Sequence, residues 1–331
     1  MTARSTQLQR WLASLGYRDY HLSPASEDAS FRSYLRLQTG AESWIVMDAP
    51  PRQEPCDQFI AVAGKLRGAG LSAPEIIARN LEQGFLLLTD FGSRDYLSLL
   101  TPETEAALYK DALAALLAMQ SRIDADDLPP YDEALLNREM ELFNDWFLGR
   151  LLGIELDRQQ RAKWRGTRQA LVENALEQPQ VFVHRDYHSR NLMRLEQGNP
   201  GILDFQDAVR GPVSYDLVSL LRDCYIDWPP PRVEQLALDY FEHARVNQLV
   251  AVDAERFLRW FNLMGIQRHL KAIGIFSRLS IRDGKSGYLE DIPRTFGYLR
   301  QVGAGETAMA GLLSMVEQLD LDRRVEALAG R

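Results

Sequence analysis

The sequence predicts an α+β fold with two lobes, a small strand-rich N-terminal lobe and a large helical C-terminal lobe. Short runs of β-branched and aromatic residues separated by turn residues dominate residues 30–89. From Pro102 onward, apolar residues recur at the i, i+3, i+4 spacing of amphipathic helices. The periodicity changes just after Gly92, so we expect lobes over residues 1–92 and 93–331.

The N-terminal lobe is predicted to begin with a helix and to continue as strands around a second helix. Leu8, Trp11, Leu12 and Leu15 share one face of the opening segment. Gly-containing turns and a proline cluster separate the later segments. In chain order we expect a helix over 8–16, strands over 30–37 and 43–47, a helix over 57–69, and strands over 74–80 and 85–89.

The C-terminal lobe is predicted to be a set of helices interrupted by one hairpin. Each helical segment carries an apolar stripe, and no internal repeat or low-complexity tract is present. The predicted helices cover 104–120, 133–152, 158–177, 215–224, 233–246, 254–277, 292–302 and 306–328.

Composition narrows the partners and the compartment. A net charge of -8 argues against nucleic-acid binding, which usually needs a basic face. Cys56 and Cys224 lack partners at metal-ligand spacing and are predicted to be free thiols in a reducing compartment. No apolar stretch reaches 18 residues, and the N-terminus has no signal-like apolar region. We therefore expect a cytoplasmic monomer that binds small molecules, with no membrane or nucleic-acid partner.

The most informative segment is residues 184–191, which read His-Arg-Asp-Tyr-His-Ser-Arg-Asn. An Asp-Phe-Gln turn begins 13 residues after Asn191, at Asp204. Residues 191–195 and 201–205 read as two strands joined by a tight turn. A hairpin of this length brings Asn191, at the start of one strand, beside Asp204, at the end of the other.

This spacing is typical of phosphoryl transfer. That chemistry needs a carboxylate to accept the acceptor's hydroxyl proton, and oxygen ligands for Mg²⁺ bound to the phosphates of ATP. We predict that Asp186 is the catalytic base and that Asn191 and Asp204 bind the metal. The simpler interpretation is a loop cap and an Asx turn, but it does not account for three roles at the expected spacing within one hairpin.

Residues 184–191, 202–205 and 211–217 resemble the aminoglycoside phosphotransferase and choline kinase superfamily. The resemblance implies a bilobal protein-kinase-like fold with ATP as phosphoryl donor. It also implies that Asp216, in the Gly-Pro-x-x-x-Asp-Leu step, anchors the next helix to the catalytic loop.

A narrower similarity is to the bacterial anomeric sugar kinase family AmgK, over residues 26–300. This resemblance implies ATP-dependent phosphorylation of the C1 hydroxyl of N-acetylmuramic acid and N-acetylglucosamine, in the recycling of cell-wall sugars. The segments that carry it are 30–32, 45–51, 84–90, 204–208, 264–276 and 288–294.

The nucleotide-binding elements depart from the usual kinase pattern. No Gly-rich loop is present, and residues 24–30 stand at that turn, either as a phosphate cradle or as a polar hairpin tip. The strand at 44–48 also has no lysine. We therefore predict nucleotide contacts from Ser30 and from Arg32, with Lys65 as the alternative cation. Further contacts are expected from the hinge-like residues Thr89, Asp90 and Phe91.

The acceptor is predicted to contact His188, Asp207, Arg268 and Lys271. Arg268 and Lys271 share a helix face and suit the lactyl carboxylate of N-acetylmuramic acid. The alternatives are a solvated basic face for these two residues, a local cap for Asp207 and loop geometry for His188.

Two other functions are compatible with the same motifs. One is a kinase for a different acceptor, such as an aminoglycoside, choline or homoserine. The other is a nucleotide-binding pseudokinase that regulates a partner, which the missing strand lysine favours and the intact Asp186, Asn191 and Asp204 oppose.

Overall fold

A computed structural model describes residues 3–26 and 31–328 of the 331-residue chain. The chain forms two compact units. One consists of residues 1–104 and 191–207, and the other of residues 105–190 and 208–331. The first contains a five-stranded antiparallel sheet and the second is mostly helical. The predicted α+β fold is confirmed, whereas the lobe boundary after Gly92 stays a prediction.

The sheet of the first unit runs in the order β1-β2-β3-β5-β4. The first strand was not predicted, because Pro24 and its serine neighbours break the β pattern. Proline is tolerated there because β1 is an edge strand that pairs only with β2. The strands are β1 (His21–Ser26), β2 (Ser33–Thr39), β3 (Glu42–Asp48), β4 (Ile76–Asn80) and β5 (Phe85–Thr89).

One face of this sheet packs on the first helix, α1 (Ala3–Ser14). Trp11 stacks on Phe85 of β5 with ring centroids 5.5 Å apart. Leu15 was predicted to share the apolar face but is 39% exposed, because the helix ends at Ser14 and the chain turns away. The unit also contains helices α2 (Asp57–Gly68) and α3 (Tyr96–Leu99), together with a short hairpin, β7 (Leu192–Met193) and β8 (Gly201–Ile202).

The second unit holds a two-stranded sheet and nine α-helices among the residues that the structure describes. Strand β6 (Gln180–Val183) pairs antiparallel with β9 (Val209–Pro212). The helices are α4 (Glu105–Arg122), α5 (Glu133–Leu142), α6 (Arg158–Leu176), α7 (Tyr215–Leu221), α8 (Pro230–Val246), α9 (Ala254–Asp283), α10 (Ile292–Ala304), α11 (Ala310–Gln318) and α12 (Leu321–Glu326).

The single helix predicted over 133–152 is wrong in one respect. The α-helix ends at Leu142 and continues as a π-helix over Phe143–Leu151. Helix α9 approaches this junction closely: a Cβ on Gly274 would lie 2.4 Å from the Leu142 carbonyl carbon. Only glycine allows the two backbones to meet at this distance.

The last predicted helix, over 306–328, is divided into three pieces. A 3-10 turn covers Thr307–Met309, and α11 and α12 follow. Asp320, between the two α-helices, has φ 50. Aspartate tolerates this left-handed conformation better than most residues, so the chain bends there although the apolar pattern continues.

Candidate active site

The predicted base lies in the loop that follows β6, and Asp216 holds the start of this loop. The Asp216 carboxylate accepts the backbone N–H groups of His184 at 2.6 Å and Arg185 at 3.0 Å. Asp216 is in the first turn of α7 and is fully buried. Burial raises its pKa to about 7. The contact that the superfamily resemblance implied, between this helix and the loop, is therefore present.

Arg185 is the strained residue of the loop. Its φ of 78 lies in the left-handed region, which costs a non-glycine residue roughly 1–3 kcal/mol. Its guanidinium donates to the carboxylate of Glu139, on α5. Arg185 is thus held at its backbone by Asp216 and at its side chain by Glu139, and this directs the chain into Asp186.

Asp186 occupies a tight turn with its carboxylate among positive charges. Its N–H donates to Nδ1 of His184 at 3.2 Å, and its carbonyl accepts from the N–H of His188 at 3.0 Å. Burial opposes ionisation, but Lys271, His188, Arg268 and Arg185 outweigh it and lower the pKa of Asp186 to about 2. The carboxylate is therefore ionised at neutral pH.

A second buried carboxylate holds the far end of the loop. Asp223 accepts from the backbone N–H of Ser189 at 3.0 Å and also from its hydroxyl. The His188 ring packs edge-on against Tyr225, with centroids 5.4 Å apart, and its Nδ1 is buried without a hydrogen-bond partner. Burial lowers the pKa of His188. The guanidinium of Arg190 also packs on Tyr225: its Cζ atom lies over the ring, 3.6 Å from the ring centroid.

The two basic residues predicted to bind the acceptor lie on α9, as expected, but neither is solvated. Arg268 is 6% exposed and Lys271 is 7% exposed, so the alternative of a solvated basic face is wrong. The Lys271 ammonium lies 3.2 Å from Glu139 and donates to the Tyr215 hydroxyl at 3.0 Å.

Arg268 is engaged differently from Lys271. Its guanidinium donates to the thiol of Cys224 at 3.6 Å, and its Nε is buried without a partner. Burial disfavours its charge, yet the acidic neighbours Cys224, Asp186 and Asp223 outweigh burial and raise its pKa. Arg268 therefore has a buried N–H donor at Nε without a partner, whereas the Lys271 ammonium already contacts Glu139 and Tyr215.

The predicted metal ligands converge in the first unit. The Asn191 amide lies 3.4 Å from the Asp204 carboxylate, and the N–H of Leu203 donates to the Asn191 carbonyl at 2.9 Å. The paired strands are shorter than predicted, only Leu192–Met193 with Gly201–Ile202. A 3-10 turn takes up Asn191, and the Asn199 side chain closes the loop by accepting from the N–H of Leu195.

The oxygen atoms at this position suit a hard cation. Asp204 has φ 60, and its carboxylate accepts from Gln206 Nε2 at 2.7 Å. The Gln206 Oε1 atom is buried without a partner. In the described parts of the chain, no group of three His, Cys, Asp or Glu side chains is placed to hold a metal. Mg²⁺ needs only one or two protein oxygens when phosphates and water complete its shell, so these residues fit it.

The hinge-like segment after β5 is fixed by hydrogen bonds. Thr89 Oγ1 accepts from the N–H of Glu75 at 3.0 Å. Asp90 receives two bonds from Arg36 of β2, at 2.6 and 3.0 Å, and one from the N–H of Gly92. The Phe91 ring packs closely on Gly201: a Cβ atom on Gly201 would lie 2.6 Å from Cδ2 of the ring. The side chains of Thr89 and Asp90 therefore shape the backbone of this segment.

The remaining predicted residues are dispersed. Arg32 lies just before β2, and its guanidinium is 3.4 Å from the Glu54 carboxylate. Asp207 is exposed, and Lys65 is half-buried on α2. Ser30 lies outside the described residues, so the structure gives no account of the predicted contact there.

Sequence reasoning missed Glu139, Asp223, Gln206 and Arg36. One signal for Glu139 was present. It falls on the buried stripe of α5, between Leu136 and Met140, where a charge needs a partner. Nothing local marks Asp223 or Arg36, because their partners Ser189 and Asp90 are distant in sequence. The partner of Gln206 is Asp204, only two residues away, so the Asp-Phe-Gln turn itself was an available signal for Gln206.

Comparison with known proteins places these features in a family. The model of the phosphotransferase enzyme family matches residues 21–258. The chain belongs to that family. An N-acetylmuramate/N-acetylglucosamine kinase of Pseudomonas aeruginosa is 48% identical over 329 residues, covering 96% of this chain and 97% of that protein. A protein of the same name from Neisseria meningitidis serogroup B is 40% identical, covering 98% of each.

Solved structures confirm the kinase-like fold. An ADP-bound aminoglycoside phosphotransferase, APH(2'')-Ib, superposes with a TM-score of 0.60 at 14% identity, covering 91% of this chain and 99% of that one. An ethanolamine kinase of Plasmodium vivax gives 0.63 at 11% identity, covering 90% and 86%. At these identities the likeness concerns the fold alone.

None of the described helices has the length and apolarity needed to cross a membrane.

Proposed function

We propose that this protein transfers the γ-phosphoryl group of ATP to the anomeric C1 hydroxyl of N-acetylmuramic acid and N-acetylglucosamine. The observation that carries the proposal is 40–48% identity, over nearly the whole chain, to kinases named for these two sugars. A sugar 1-phosphate formed this way would return recovered cell-wall sugar to biosynthesis. The buried thiols of Cys56 and Cys224 are compatible with a reducing cytoplasm.

Asp186 is assigned as the base. A bond forms between the C1 oxygen and the γ-phosphorus while the bond from that phosphorus to the bridging oxygen of ADP breaks, and the hydroxyl proton passes to Asp186. A carboxylate whose pKa is about 2 is a weak base. It suffices because the transition state of phosphoryl transfer is loose and the anomeric hydroxyl is relatively acidic, so orientation matters more than early proton removal.

Asn191 and Asp204 are assigned to Mg²⁺, with Gln206 as a further oxygen beside Asp204. When bound, the ion neutralises charge on the ATP phosphates. For the nucleotide, we assign Ser30 and Arg32 to the phosphates of ATP. The backbone of Thr89, Asp90 and Phe91 is assigned to the adenine ring. Arg36 supports this hinge by clamping Asp90.

For the acceptor we assign Arg268 to the lactyl carboxylate of N-acetylmuramic acid, since its buried Nε has no partner. His188 has an unpartnered ring nitrogen and is assigned to a sugar hydroxyl. Asp207 remains a candidate for a second hydroxyl. Lys271 was predicted to share the carboxylate, but its ammonium already contacts Glu139 and Tyr215.

The experiment is ADP release with ATP and Mg²⁺ against a panel of acceptors. The panel contains both free sugars, their C1-methyl glycosides, an aminoglycoside, choline and homoserine. We expect turnover with the free sugars and none with the glycosides, which lack the C1 hydroxyl. Turnover with an amine or antibiotic alone would refute the sugar assignment. Nucleotide binding without turnover of any acceptor would favour the pseudokinase.

A further inference from the structure

A buried polar cluster lies behind the base-bearing loop and has no part in the chemistry assigned above. We call it the Glu139 cluster. All its members belong to the helical unit, and the side chains of Glu139 and Lys271 are only 7% and 9% exposed. The members are Tyr131, Glu139, Arg185, Tyr215 and Lys271.

Glu139 is the centre of this cluster. One carboxylate oxygen accepts from the Arg185 guanidinium and lies 3.2 Å from the Lys271 ammonium; the other accepts from the Tyr131 hydroxyl. Lys271 also donates to the Tyr215 hydroxyl, and the Tyr131 and Tyr215 rings meet edge-to-face with centroids 5.2 Å apart. Burial opposes the charge on Glu139, but Lys271 and Arg185 outweigh it and lower its pKa. The carboxylate is thus a fixed anion with partners on both oxygens.

The charges balance only when Asp186 is counted. Arg185 and Lys271 supply two positive charges, and Glu139 and Asp186 supply two negative charges. Lys271 is the strongest positive influence on Asp186. A single unpaired charge in a buried cluster is costly, so the cluster and the base depend on each other electrostatically.

We propose that Glu139 and Lys271 are positioning residues, which hold Arg185 in its left-handed conformation and thereby fix the direction of the Asp186 carboxylate. The inference rests on the proposed function only in taking Asp186 as the base. It assigns Lys271 to the orientation of the base, where the sequence had suggested contact with the sugar.

The proposal predicts an asymmetry between the two charges. Glu139→Gln leaves two cations against Asp186 and removes the charged partner of Arg185. Lys271→Met keeps the Glu139–Arg185 pair. We expect kcat to fall about 100-fold in Glu139→Gln and about 10-fold in Lys271→Met, because small misplacements of a reacting group have effects of this order. The KM values for ATP and for both sugars should stay within about twofold.

The double variant separates positioning from stability. Glu139→Gln should lower the melting temperature by on the order of 5–10 °C. Glu139→Gln/Lys271→Met restores neutrality and should recover most of that loss. Its kcat should nevertheless stay as low as in Glu139→Gln, because Arg185 still lacks its carboxylate. The matched controls are Glu133→Gln, exposed on the same helix, and Lys110→Met, exposed on α4; both should behave as wild type.

The experiment measures kcat and KM on both sugars, together with thermal unfolding, for wild type and these five variants. Variants that melt earlier but keep wild-type kcat would show a purely structural cluster and overturn the inference. A rise in KM of Lys271→Met for N-acetylmuramic acid alone, with kcat unchanged, would make Lys271 a carboxylate ligand and also overturn it. Wild-type turnover on the sugars tests the proposed function separately, since the variants are compared on whichever acceptor of the panel the wild type uses.

Discussion

The loop that carries the proposed base and the hairpin that carries the proposed metal ligands follow each other in sequence but are held in different ways. Buried carboxylates on distant helices and loops fix residues 184–190, through Asp216, Asp223 and Glu139. The hairpin relies on its own backbone and on neutral groups: the N–H of Ile202 donates to the Ser72 carbonyl, and Asn199 bonds the Tyr96 hydroxyl.

The difference concerns which substitutions each region can tolerate. Side chains that make charged, buried bonds leave a desolvated group behind when removed. Bonds made by the backbone survive most substitutions of the side chain. We therefore expect the surroundings of the base to be sensitive at many positions, and the hairpin to be sensitive mainly at the metal ligands themselves.

The largest expected effect separates the two regions by function. Asp186→Ala should reduce kcat by about 10³-fold or more and leave ATP affinity nearly intact, because the base does not hold the nucleotide. Asp204→Ala should reduce both turnover and Mg²⁺-dependent ATP binding. Calorimetric titration with ATP and Mg²⁺, beside ADP-release kinetics, checks both. An equal loss of ATP affinity in the two variants would show that the roles are misassigned.

The next effect is on stability. Asp216→Ala leaves the buried N–H groups of His184 and Arg185 without an acceptor. At about 1–3 kcal/mol for a stranded group, we expect the free energy of unfolding to fall by about 2–4 kcal/mol in urea denaturation. Asp239→Ala, an exposed position on α8, is the control. A loss below about 0.5 kcal/mol would mean that water replaces the carboxylate.

The same residue predicts a pH dependence. Because its folded pKa of about 7 lies above the ordinary 3.8, the folded state binds the proton more tightly than the unfolded state. This contribution to stability is complete below the ordinary pKa and is lost as pH rises through about 7. The stability of wild type relative to Asp216→Asn should therefore decline between about pH 4 and about pH 8. A difference that grows with pH would contradict the raised pKa.

A smaller effect is expected at the hinge-like segment. Arg36→Ala removes the bidentate clamp on Asp90 and should raise the KM for ATP a few-fold, with a loss of about 1–2 kcal/mol in stability. Arg18→Ala, exposed before β1, serves as control. An unchanged KM for ATP would show that the Arg36–Asp90 pair does not contribute to nucleotide binding.

The smallest effect tests the tolerance of the hairpin. Arg194 joins it to the rest of the first unit through its backbone N–H, which donates to the Arg94 carbonyl at 2.9 Å. Arg194→Ala keeps that bond. The free energy of unfolding should therefore change by less than about 0.5 kcal/mol, and kcat by less than about twofold. A larger change in either measurement would mean that side chains also position the hairpin.

The sequence predicted the parts of the site whose residues are close together in the chain. Asn191 and Asp204 converge because one hairpin joins them, and a hairpin is a local pattern. The helix that carries Arg268 and Lys271 was also predicted from its periodicity. The Glu139 cluster was not predicted, because its members come from four separate segments of the chain and nothing local specifies that Lys271 turns to Glu139.

The fold was predictable to a similar extent. Helical periodicity located most of α4 to α10, but it did not reveal the π-helix after Leu142, which forms where α9 presses against the chain. Strand β1 was missed since Pro24 is acceptable only at a sheet edge, and edge position is not a local property.

Gly274 gives the close approach of α9 to the end of α5 a second meaning. Glu139 lies one turn before Leu142, and Lys271 lies one turn before Gly274, so the backbone contact and the 3.2 Å charge pair belong to the same crossing of two helices. The lack of a side chain at position 274 thus sets the spacing of the two helices. Any side chain there would push the helices apart and lengthen the distance between Lys271 and Glu139. If the Glu139 cluster positions the base as proposed, the direction of Asp186 also depends on a residue that carries neither charge nor side chain.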